Sequence, residues 1–71
     1  MKRIILSIPD RPGFEAVEDL DGQFIDVAVE GEGSEGRTVK INGRTLKLRY
    51  DSNELVGADS YERWRAWSVS G

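Results

Sequence analysis

Two tryptophans three positions apart, Trp64 and Trp67, stand beside Arg63 and Arg65, with Tyr61 just ahead of them. Trp, Tyr and Arg dominate the energetic centres of protein interfaces, because a rigid ring sheds much water at little conformational cost and a guanidinium gives directional bonds. Tyr61, Arg63, Trp64, Arg65 and Trp67 are therefore the expected partner-binding residues of this 71-residue chain. The partner would be another protein or a second copy of the chain, and self-association would also relieve the thin core of so small a domain. An alternative reading uses the same rings differently. With Lys40, Lys47 and Arg49, Trp64 and Trp67 would make a basic, aromatic face of the kind that binds single-stranded nucleic acid, where cations follow the phosphates and rings stack on the bases. Both sets have a plain structural counterpart. One Trp can fill a small core while the other covers its end, and Lys and Thr on a strand face keep an edge from aggregating.

The missing residues narrow the chemistry. The chain has no His and no Cys, which removes the usual base near neutral pH, thiolate nucleophiles, structural zinc and disulfides. Ser-His-Asp and Cys-His mechanisms are impossible within one chain. Catalysis would rest on carboxylates, Lys, Tyr or Ser in a domain with little room for a pocket, so the chain is expected to be no enzyme and to carry no cofactor. Glu15, Glu18, Asp19 and Asp21 cluster in sequence, but without EF-hand spacing they read as the wet face of a short amphipathic segment, and no metal site is expected. Gly31-Glu32-Gly33-Ser34-Glu35-Gly36 matches the glycine pattern of dinucleotide sites. That site needs a helix after the glycines, whereas an alternating strand follows here, and Glu32 and Glu35 would repel phosphate. The segment reads as a loop.

Charge divides unevenly along the chain. Residues 1–36 hold three bases against nine acids, a net of −6, and residues 37–71 hold seven bases against four acids, a net of +3. The total of −3 and a pI near 4.8 speak against a dedicated nucleic-acid binder, while the basic half contains every residue of both candidate sets.

The elements that must position these residues read mostly as strands. Ile4, Leu6 and Ile8 share one face of a first strand over residues 3–8, and Ile5 suggests burial on both sides. Pro9, Pro12 and Gly13 stop it. Phe14, Val17 and Leu20 recur every three residues, as in two helical turns, yet Asp21-Gly22 also suits a type I′ hairpin with Ala16 opposite Val27. The hairpin is adopted here, because residues 23–30 alternate as a strand with Ile25, Val27 and Val29 inward. Asn42-Gly43 predicts a second hairpin pairing Ile41 with Arg44, Val39 with Leu46 and Arg37 with Leu48. Val39, Ile41, Leu46, Leu48 and Tyr50 then face inward, with Thr38, Lys40, Thr45, Lys47 and Arg49 outward. Residues 51–58 read as a connector. Residues 61–69 fit either a helix, capped by Asp59 and Glu62, or an edge strand, and the strand is adopted.

One domain over residues 1–71 follows from the length. The expected fold is mostly β, a single small antiparallel barrel or curled sheet of five to six short strands, SH3-like or OB-like in size. The alternative is α+β with short helices near residues 14–20 and 60–67. The apolar run after Met1-Lys2-Arg3 is too short for a signal peptide and nothing is long enough to span a membrane. A cytoplasmic interaction module is expected, of a size common among microbial and phage accessory proteins.

Overall fold

A computed structural model describes residues 1–27 and 36–71. Five strands form one sheet: β1 (Lys2–Ser7), β2 (Phe24–Val27), β3 (Arg37–Ile41), β4 (Arg44–Val56) and β5 (Asp59–Ser70), with a 3-10 helix, η1 (Glu15–Leu20), between the first two. The spatial order is β2-β1-β5-β4-β3. The sheet curls into a nearly closed barrel, so that residues of both edge strands meet one core. Ile4, Leu6, Ile8, Val27, Leu46, Leu48, Trp64 and Ala66 fill it, joined by Phe14, just ahead of η1, and Val17 within it.

The Asn42-Gly43 hairpin has the register that its turn chemistry demands: Ile41 opposes Arg44, Val39 opposes Leu46 and Arg37 opposes Leu48. Asn42 at φ 53° and Gly43 at φ 79° supply the two left-handed positions of a type I′ turn. Leu46 and Leu48 are fully buried, as an inward period of two requires.

Three sequence expectations fail, each for a physical reason. Residues 14–20 are not a strand. The three-residue spacing of Phe14, Val17 and Leu20 is the repeat of a 3-10 helix, in which side chains at i and i+3 eclipse, and η1 turns those three inward. Asp21 has φ −61° and ψ 127° and Gly22 has φ 82°, so this pair makes a type II turn closed by the Gln23 N–H on the Leu20 carbonyl, not a type I′ hairpin. The Asp21 carboxylate accepts from the Ile8 amide at 2.8 Å, and β2 pairs with β1, setting Ile4 opposite Ile25. The connector over residues 51–58 is strand as well. β4 runs on to Val56 and turns at Gly57-Ala58, where only Gly57, at φ 65°, is left-handed, as in a type II′ hairpin. Finally, the strand adopted over residues 61–69 does form, as β5, but it is interior and not an edge: it pairs antiparallel with β4 and parallel with β1, and the alternative helix over residues 60–67 is absent. Ala28, Val29 and Glu30, together with the loop over residues 31–35, lie outside the described residues.

Candidate functional site

Alternation along β5 sorts the expected partner-binding residues onto two faces. Trp64 and Ala66 point into the core, while Tyr61, Arg63 and Arg65 lie on the outer face. Trp64 is only 3% exposed. Its Nε1 donates to Glu62 Oε1 at 2.9 Å, its ring meets Tyr50 edge-on at 5.8 Å, and the Arg37 guanidinium lies 4.8 Å from its centre. It is a core residue and leaves both candidate sets. Arg37 was not singled out by sequence reasoning, although its parity with Val39 and Ile41 places it on the inner face, where it is buried.

Trp67 reaches the outer face by a different route. Lys47 pairs with Ser68 and Leu48 with Ala66, so Trp67 is the extra residue of a β-bulge. A bulge sets two residues opposite one and re-aims a side chain. Here it turns Trp67 onto the face that carries Lys47 and Arg49, leaving the ring 39% exposed. Arg49 lies 4.6 Å and Lys47 5.7 Å from the ring centre. Arg65 stands directly opposite Arg49 in the β4–β5 register. Like charges in that position repel by a few tenths to about 1 kcal/mol. Lys40 faces the same way from β3, opposite Thr45. Among the described residues, none of Lys40, Lys47, Arg49 and Arg65 has a carboxylate partner. The structure thus gathers Lys40, Lys47, Arg49, Arg65 and Trp67 on one face and leaves out Trp64.

Other charges are neutralised where they stand. Arg63 is held by Glu54 Oε1, at 2.9 Å from Nε, and Arg3 by Asp26 at 3.2 Å. Tyr61 meets Phe24 edge-on at 4.9 Å, also on the outer face. At the mouth of the barrel, Lys2 donates to Glu62 at 2.7 Å. Bonds from Lys2 and then Trp64 hold the Glu62 carboxyl below its ordinary pKa. A cavity of about 420 Å³ opens between residues 8–12 and η1, lined by Asp10, Glu15, Glu18 and Asp21 as well as apolar groups. Two of these carboxylates are engaged with backbone amides, Asp21 with Ile8 and Glu15 with Gly13. Among the described residues no group of three or more carboxylates could hold a metal ion, and no helix is long and apolar enough to cross a membrane.

Fold and face together define a small curled β-domain with a Trp-centred basic patch on its convex side. No protein-family model, curated protein or solved structure matches the chain.

Proposed function

We propose that this chain is a non-enzymatic binding module and that its outer β3–β4–β5 face takes single-stranded nucleic acid. The observation that carries the reading is the opposed pair Arg49 and Arg65 beside the exposed Trp67, with Lys47 on the same ring and, among the described residues, no carboxylate partner for any of the three cations. Two facing guanidiniums are an electrostatic liability that a bound anion would turn into an attraction. A half-exposed indole offers a base the flat surface that stacking needs. The overall charge of −3 does not oppose this, since screening confines each charge to about 10 Å, and Glu54 and Asp26 are paired with Arg63 and Arg3.

The test is tryptophan fluorescence during titration with oligo(dT) and oligo(U) at low salt and then at rising salt. Saturable quenching is expected, with log K falling against log salt at a slope of about −3 for four neutralised phosphates. Arg65→Ala should weaken binding and flatten that slope by about 0.7. An unchanged signal at low salt overturns the reading. The alternative is a protein partner with an acidic segment, favoured by the Trp–Arg composition of the patch, which suits an interface centre equally. Equal quenching by poly-glutamate would move the assignment there.

A further inference from the structure

The outer face of β5 reads Tyr61, Arg63, Arg65, Trp67, a ring at each end and two guanidiniums between. Resting on the nucleic-acid reading, we propose that Tyr61 with Phe24 forms a second stacking subsite, and that the bound strand runs along β5 from Trp67 to this pair. Four observations converge. Phe24 is 43% exposed and Tyr61 partly so, and their edge-to-face contact fixes both rings on the outer face. The floor beneath them is firm: Ile5 is 2% exposed although it lies outside the inner core cluster, and it sits in register between Phe24 on β2 and Arg63 on β5. The two rings lie six positions apart along one strand, a path of about 20 Å at roughly 3.3 Å per residue. Stacked nucleotides rise about 3.4 Å each, so that path holds about four to six nucleotides, within the range of small-barrel sites. Finally, the residues between the rings are cationic. Arg65 has no carboxylate partner among the described residues, and Glu54, which stands opposite Tyr61, is bonded to Arg63.

The experiment is a length series, oligo(dT) of two, four, six and eight nucleotides, titrated at low salt against the full chain. It is run on the wild type, on Tyr61→Leu and on the exposed-side change Phe24→Thr, with circular dichroism as the check on folding. The wild type should gain about tenfold in affinity between two and six nucleotides, the effect of one added stacked base. Both variants should bind the dinucleotide as the wild type does and lose that gain. Glu54→Gln, which releases Arg63, should tighten binding of the longer strands only. An undiminished gain in folded Tyr61→Leu and Phe24→Thr overturns the second subsite while leaving the Trp67 site standing. So does equal affinity for two and eight nucleotides. Failure of the wild type to bind any length overturns both proposals together.

Discussion

Trp64 and Trp67 lie three positions apart, yet they occupy different environments and should answer mutation differently. Trp64 is buried and contacts Glu62, Tyr50 and Arg37. Trp64→Ala should cost about 3–5 kcal/mol, close to the whole stability of a chain this long at roughly 0.05–0.15 kcal/mol per residue. Trp67→Ala removes a half-exposed ring and should change stability by less than about 1 kcal/mol. Urea unfolding followed by circular dichroism separates the two, and equal losses would contradict the assignment of faces. Arg65 argues the opposite case. Arg65→Ala removes a guanidinium that faces Arg49 and should raise the urea midpoint slightly while it lowers oligonucleotide affinity, the exchange of stability for function expected of a binding residue. Glu62 adds a pH dependence. Its folded-state pKa is depressed by Lys2 and Trp64, so its contribution to stability is present above the unfolded carboxylate pKa and is lost as pH falls through the lower folded value. Glu62→Gln should therefore lower the thermal midpoint at neutral pH, and the gap to wild type should close in acid.

At the scale of elements, the β5 bulge does the positioning. Trp67 has no partner in the β4–β5 register, so its deletion would leave Ser68 opposite Lys47 and Val69 opposite Leu46, each on its present face. A chain lacking Trp67 should fold, with a β-rich circular dichroism spectrum and a cooperative urea transition, and should lose quenching and oligonucleotide binding. Misfolding of that variant would mean that the bulge carries stability as well as placement. The far end of the same hairpin behaves differently. Leu55 is 77% exposed near the tip, opposite Ser60, beyond the residues that pair with β1 and β3. Leu55→Lys should leave the urea midpoint within about 0.5 kcal/mol of wild type.

For the whole molecule, the parallel pairing of β1 with β5 joins the β1–β2 pair to the β3–β4–β5 strands in one sheet. It places β1 between β2 and β5, so the first strand is interior, and Ile4, Leu6 and Ile8 enter the core from it. Removing residues 1–8 should abolish cooperative unfolding altogether, a stronger effect than loss of an edge strand. The same pairing also sets the breadth of the outer face. Phe24 and Ile5 lie on the same side as Arg63 and Arg65 only because β1 docks against β5 in this register.

By itself the sequence determined what is local. Asn42-Gly43 specified the hairpin, its type I′ turn and its register, because a one-residue slip would turn Leu46 and Leu48 into water. Period-two alternation placed Lys47 and Arg49 outward and would have placed Arg37 inward. The mostly β class and the double burial of the first strand were legible for the same reason, since β-branched alternation survives without tertiary help. Tertiary structure decided the rest. Asp21-Gly22 suits a type II turn as well as a type I′ turn, and only the docking of Phe14, Val17 and Leu20 on the core made residues 15–20 a 3-10 helix. Residues 51–58 carry too few apolar groups to announce a strand, and their partner on β5 supplies the hydrogen bonds that make them one. The separation of Trp64 from Trp67 depended on burial and on a bulge, and a bulge is set by how two strands meet, which spacing along one of them does not contain.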